Sequence, residues 1–340
     1  LSWRALLRSC ALCAACLVPL PASADGPQDE RDAQAAADEQ AKLYVQLSEH
    51  EDQRIRAKAF EMLSGLGPRG RSALPRVLDA LSNDPESGPR RMAARAAARI
   101  GKPAEVVGPL TEALADRDVG VRLDVAVELA RLGPAAAPAT EGLRACLDKK
   151  EAAPLQVGAC RALGAIGPKA SAALGDVVGL LKDAKRARLV REAAALAIGQ
   201  IGPTHPEAIP ALSEALSGEQ SGLRVACARA LTQLGPKAAK ATPALAKALG
   251  QRDALLRWRA AQALAAIGPA ASGALEELCK ALAEDPGREI RAAAAEALGR
   301  IGDPRAKPAL EQRLKVQREH HTVLLAVEQA LQAIAQRQKR

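Results

Sequence analysis

The chain reads as an all-α solenoid (a superhelix) of about nine helical hairpins, on three observations. First, a branched aliphatic residue followed by glycine recurs as Leu66-Gly67, Ile100-Gly101, Leu132-Gly133, Ile166-Gly167, Ile201-Gly202, Leu234-Gly235, Ile267-Gly268 and Ile301-Gly302. The spacings between glycines are 34, 32, 34, 35, 33, 33 and 34 residues, a period that marks a repeat array built from one pair of helices per unit. Second, apolar residues fill 48% of the 340 positions but aromatic residues only 1%. A core without large rings is built from Ala, Leu, Ile and Val in thin, closely packed layers, and Ala and Leu are strong helix formers. Third, proline follows the glycine at once in six units (Pro68, Pro134, Pro168, Pro203, Pro236 and Pro269). A left-handed glycine stops one helix, and proline fits the first turn of the next.

Taken in chain order, residues 1–24 read as a signal peptide. Arg4 and Arg8 lead an uncharged run from Cys10 to Leu20, and Ala22-Ser23-Ala24 gives the small-x-small pattern of a processing site, with cleavage expected after Ala24. The run is shorter than the about 20 residues that span a bilayer, so the processed chain is expected to be exported, periplasmic or secreted, with no transmembrane span. Cys10, Cys13 and Cys16 lie inside this segment and read as apolar filler, since no histidine follows them as haem attachment requires. Residues 25–32 read as an acidic leader and residues 33–340 as the solenoid. The formal charge of +9 is unevenly spread, with eight acids against two bases between Asp25 and Glu51. That pattern describes an acidic end on a basic body.

Counted back from each glycine, the second helix of a hairpin carries one apolar stripe. It is Leu256, Ala260, Ala261, Leu264 and Ile267 in one unit and Ile290, Ala294, Ala295, Leu298 and Ile301 in the next, the period of one helical face. The first helix repeats Leu212/Leu216, Leu245/Leu249 and Leu278/Leu282. Leu43/Leu47 fits the same register, which places a hairpin before the first glycine, and Ile334-Ala335 continues the series at the far end. A second proline, at Pro75, Pro210, Pro243 and Pro308, is expected inside the first helix and should bend it.

An arginine stands eleven residues before most glycines: Arg56, Arg90, Arg122, Arg191, Arg224, Arg257 and Arg291, with Gln156 and Leu324 as the exceptions. An acid often lies four residues earlier, as in Asp52/Arg56, Glu86/Arg90, Asp118/Arg122 and Asp253/Arg257. With the Pro-x-Leu-x-x-x-Leu helix, the Asp-x-Asp-x-x-Val-Arg turn and the Ala-Leu-x-x-Ile-Gly-Pro ending, residues 33–337 closely resemble the HEAT repeat family. The likeness is to its short bacterial form, related to the phycobilisome-lyase-type repeats. The resemblance implies that these arginines, with Asp118 and Asp253, form a ladder between adjacent units, and that second helices line a concave surface. Such motifs identify a fold better than a function.

A further basic set occupies positions six and two residues before the glycines: Arg95, Arg99, Arg131, Arg161, Arg229 and Arg300. These positions lie off the apolar stripe. Trp258 and Arg259 neighbour the same surface. Together they read as a partner-binding strip that would steer an acidic segment of a protein onto the array. No His, Ser or Cys has partners spaced for a catalytic triad, there is no glycine-rich phosphate loop, and neither a cofactor nor a metal is expected. His50-Glu51 is similar to the iron-binding pairs of HEAT-type deoxyhypusine hydroxylases, but no second pair exists here. Glu319-His320-His321 reads as a surface connection. Cys146, Cys160, Cys227 and Cys279 read as small buried hydrophobes; a disulfide within one hairpin would have to join Cys146 to Cys160.

These features point to a non-enzymatic protein-binding scaffold of the cell envelope. Two other classes stand beside it. A binder of an anionic polymer or nucleic acid is favoured by a pI of 9.4 and opposed by the export signal and the scarcity of aromatic rings for stacking on bases. A repeat-type lyase or accessory factor for cofactor attachment is opposed by the missing catalytic constellation.

Overall fold

A computed structural model describes residues 27–338, and the expected signal peptide, residues 1–24, lies outside them. Among the described residues every regular element is helical. The chain divides into two compact units between Gly142 and Leu143.

The first unit holds α1 (Pro27–Leu47), α2 (Gln53–Leu66), α3 (Leu74–Asn83), α4 (Ser87–Ile100), α5 (Pro103–Glu112) and α6 (Val119–Leu132); α7 (Thr140–Ala145) follows at the division. The second unit holds α8 (Ala153–Ile166), α9 (Leu174–Lys182), α10 (Arg188–Ile201), α11 (Ala208–Ala215), α12 (Ser221–Leu234), α13 (Thr242–Leu249), α14 (Ala254–Ile267), α15 (Leu275–Glu284), α16 (Arg288–Ile301), α17 (Lys307–Leu314) and α18 (His321–Gln338). Within the first unit α2 packs on α4 and α4 on α6. Within the second, α8, α10, α12, α14, α16 and α18 pack in series, each on the next, with the shorter first helices forming the other layer. Each unit is therefore two helical layers over a shared apolar seam.

That seam is the stripe read from the sequence. Leu256, Ala260, Ala261 and Leu264 are fully buried, as are Ala294, Ala295 and Leu298 one repeat later. Alanine in mid-stripe lets neighbouring backbones approach, while Leu245 and Leu278 fill the space from the other layer. The stretch set apart as an acidic leader is helical from Pro27 onward and continuous with the first hairpin. Ala33, Ala37, Ala41 and Tyr44 turn one face of α1 inward.

Two details of the punctuation differ from the sequence reading. The terminating glycines have positive φ, but their ψ depends on the next residue. Gly268, before Pro269, has φ 72° and ψ −138°, whereas Gly302, before Asp303, takes the left-handed helical conformation at φ 75° and ψ 16°. The proline ring crowds the preceding residue out of helical ψ values, so the glycine takes the mirror image of an extended conformation. Gly101 is the exception to positive φ, at −90°. The second prolines also do not bend a helix. The residues after the glycine form a separate 3₁₀ turn, as in Gly67–Ala73 and Gly235–Ala241, and Pro75, Pro243 and Pro308 sit in the first turn of the α-helix that follows. A residue without an N–H loses nothing there.

Candidate functional site

The arginines eleven residues before the glycines bind forward along the chain, to the turn of the next repeat. Arg56 grips Asp84 through Nε and Nη2 at 2.8 and 2.9 Å, and Arg90 grips Asp116 at 2.7 and 2.9 Å. Arg257 holds Asp285 and Arg291 holds Glu319 in the same two-pronged way. The remaining Nη1 of each donates to carbonyls of the turn before its own helix, such as Asp84 and Pro85 for Arg90. Burial alone would raise the Asp84 and Asp116 carboxyls, but the bonds from Arg56 and Arg90 and from backbone amides hold both below the ordinary carboxylate range.

Asp118 and Asp253, grouped with the ladder on sequence, instead cap helices. Asp118 accepts from the Val121 N–H, and Asp253 from those of Leu255 and Leu256. The first turn of a helix offers unpaired donors to an acid at that place. Asp253 also takes the hydroxyl hydrogen bond of Ser221 from the preceding repeat, which is the first cause of its lowered pKa. Arg122 donates Nη1 to the Asp116 carbonyl at 2.7 Å. Arg191 reaches the Leu181 carbonyl at 2.9 Å, and the Nε of Arg224 is buried without a hydrogen bond. The ladder acid seventeen residues before the glycine is replaced after these two by Gly218 and Gln251.

The sequence reading did not name Asp84, Asp116, Asp285 and Glu319 as ladder partners, because it paired four of the arginines with the acid before them. The signal was present in the separation of 26 or 28 residues between partners. Glu319, expected in a surface connection, has a buried carboxylate that also binds Arg313.

The second basic set divides by the acids within its reach. In the first unit, Asp124 accepts from Arg91 Nε at 2.7 Å and Arg95 Nη2 at 3.0 Å, and Glu128 accepts from Arg131 at 2.6 Å. Both carboxylates are buried, and Arg99 is exposed. In the second unit Arg300 donates to Glu296 of its own helix at 2.9 Å, whereas Arg161 and Arg229 are exposed and have no carboxylate partner among the described residues. The reason is legible in the offsets. Asp124 and Glu128 stand nine and five residues before Gly133; one repeat after Arg161 the first of these positions is Ala193, one repeat after Arg229 it is Arg259, and the second is Ala162, Ala197 and Ala230 on the helices of the groove. No acid stands at these places, and around Arg161 the small residues also leave space.

That space is a groove of about 250 Å³ across α8, α10 and α12, with Arg161 on one wall and Arg229 on the other. Its floor is apolar, from Val157, Leu196 and the 60% exposed Leu189. Gln200 and Gln233 line it one helical turn further on. Their side chains lie against the preceding helix only because Gly164 and Gly199 are there: a Cβ on Gly164 would fall 2.1 Å from the Gln200 Oε1, and one on Gly199 would fall 2.7 Å from that of Gln233. Glu192 adds a negative charge, but Arg188 of its own helix is 3.5 Å away and balances it. Two uncompensated arginines over an apolar floor can hold a carboxylate-bearing chain.

Trp258 and Arg259, on α14, lie against each other, and the Arg259 Nε is buried without a hydrogen bond. The Arg259 guanidinium lies 4.5 Å from the Trp258 ring centre and donates to Gln262 at 3.0 Å. His50 accepts from the Asp52 N–H through Nδ1. Among the described residues no group of three or more His, Cys, Asp or Glu is placed to hold a metal ion, and no helix is long and apolar enough to cross a membrane. Cys146 and Cys160 are not joined, and burial pushes the Cys160 and Cys227 thiols up to about 12.

Comparison with known proteins bears on this architecture. Among solved structures, an engineered protein shares 22% identity over 92% of this chain and 97% of its own, with a TM-score of 0.56, a likeness of fold. Human deoxyhypusine hydroxylase in complex with glycerol shares 23% identity over 78% of this chain and 97% of its own, with a TM-score of 0.34. No curated protein matches the chain. The family model for HEAT repeats matches residues 40–131, 74–154, 140–232, 214–288 and 242–332. With these overlapping matches and helical hairpins repeating at the same period, the chain belongs to the HEAT repeat family.

Proposed function

We propose that the protein is a non-enzymatic binding scaffold, and that the groove across α8, α10 and α12 is where it takes an acidic segment of a partner protein. A repeat array offers broad continuous faces for binding, and its fixed positions serve contacts between neighbours. The arginines of the ladder, and Arg91, Arg95 and Arg131 of the first unit, serve such internal contacts. The observation that carries the reading is the state of Arg161 and Arg229: exposed, without carboxylate partners, and set on either side of an apolar floor. Arginines of that kind steer an acidic partner and fix its register, while the floor supplies apolar burial. The features of residues 1–24 add that the scaffold works outside the cytoplasm, with its mature chain beginning at Asp25.

The test is capture from the exported fraction on immobilised wild-type protein and on the Arg161→Gln, Arg229→Gln double variant, at low and high salt. Proteins held by the wild type at low salt should be released by salt and absent from the variant, because screened charge contacts carry the encounter. Equal retention by both baits sinks the assignment. Amino-terminal sequencing of the mature protein tests the export proposal; a start within residues 1–20 contradicts it.

A further inference from the structure

We propose that the segment held in this groove is an extended strand of polyproline II geometry, with two acidic residues six positions apart and an apolar residue midway between them. The inference rests on the groove being the docking site for an acidic segment, and goes further by stating the ligand's conformation and spacing.

Arg161, Leu196 and Arg229 each stand six residues before their glycine, on three helices packed in series, and all three line the groove. They form one row of charge, apolar surface and charge, stepped by one helix each time. Packed helices lie about 8–10 Å apart. A polyproline II strand has three residues per turn and rises about 3.1 Å per residue, so it presents the same side about every 9.3 Å. One ligand residue in three therefore meets one helix after another without drift. A β-strand repeats its face about every 6.7 Å and is out of step by the next helix.

Two neighbouring rows support this placement. Gln200 and Gln233, two residues before their glycines, flank the row on α10 and α12. A polyproline II backbone makes no hydrogen bonds of its own, so its carbonyls and amides remain available to side-chain amides. On the other flank, Glu192 stands four residues before Leu196. Paired with Arg188, it leaves no unpaired positive charge there to draw an acidic strand one turn toward the helix amino ends.

The experiment uses the mature chain and two fluorescein-labelled peptides of identical composition, Glu-Pro-Pro-Leu-Pro-Pro-Glu and Pro-Glu-Pro-Leu-Pro-Glu-Pro. The first matches the row and the second does not. It should bind about tenfold tighter at low salt, as two well-placed exposed ion pairs allow. Arg161→Gln or Arg229→Gln should each reduce that advantage, with the circular-dichroism spectrum unchanged. Arg161→Glu should reverse the preference at one end, favouring the peptide whose terminal Glu there is replaced by Lys. Equal binding of the two peptides, both lost in the arginine variants, overturns the geometry while the acidic-segment reading stands. Absence of binding at millimolar peptide, or binding indifferent to both arginines, overturns the two together.

Discussion

In the first unit three arginines off the apolar stripe are tied down, Arg91 and Arg95 sharing Asp124 and Arg131 held by Glu128, while Arg99 is exposed. In the second unit Arg161 and Arg229 occupy the offset of Arg95, with Ala193 and Arg259 where the Asp124 carboxylate would be. The ladder varies within the second unit: Arg257 and Arg291 meet carboxylates as Arg56 and Arg90 do in the first, whereas Arg191 and Arg224 face repeats with Gly218 and Gln251 at the acid position. Arginines at matching offsets thus give unequal surfaces. What matters is which residues replace acids one repeat away, because a solenoid sets each side chain against its counterpart in the next layer.

The largest expected effect falls on the tied arginines. Asp116→Ala strands the buried guanidinium of Arg90 and should cost about 3–5 kcal/mol, as removal of one partner of a buried pair does. Chemical denaturation reading a loss below about 1 kcal/mol would show that the ladder of the first unit is no firmer than a surface ion pair. Leu264→Ala, at a fully buried stripe position of the second unit, should cost about 2–5 kcal/mol. A change within about 0.5 kcal/mol would place that residue on the surface.

Acid should weaken the ladder next. The Asp84 and Asp116 carboxyls lie below their ordinary value of 3.8 in the folded chain. Their contribution is therefore complete above that value and lost as pH falls through the lower folded values, where the unfolded chain binds more protons. The Tm of the wild type should fall below about pH 4, and Asp116→Asn should show a shallower fall. Parallel curves for the two proteins would remove Asp116 from the acid response.

Asp124→Ala should cost only about 1 kcal/mol, because Arg91 and Arg95 are partly exposed and regain water. Its gain should appear elsewhere, as increased retention of acidic peptides by the first unit, converting that face toward the character of the second. Retention equal to wild type would mean that small residues alone do not make the groove. The smallest stability effect belongs to the Arg161→Gln, Arg229→Gln pair, within about 0.5 kcal/mol as at other exposed sites. A larger loss would show that these arginines have structural partners after all.

Much of the fold was legible because each signal was local. The Ile-Gly-Pro endings and the Leu and Ala stripes are determined by backbone freedom and helical period, both readable within one repeat. The second prolines were misplaced because a 3₁₀ turn and the start of an α-helix look alike in sequence; the backbone decides between them. The ladder partners lay one repeat further along than the adjacent acids, which instead satisfy the unpaired donors of a helix start.

By itself, the sequence determined the helical class, the period, the buried stripe and the candidate arginines, since these follow from conformational preference and the pattern of apolar residues along one chain. Which arginines are available was decided by the tertiary structure. The charge state of a surface depends on groups about thirty residues apart that packing brings within hydrogen-bonding distance, and no local pattern reveals that Asp124 closes one face while Ala193 opens another.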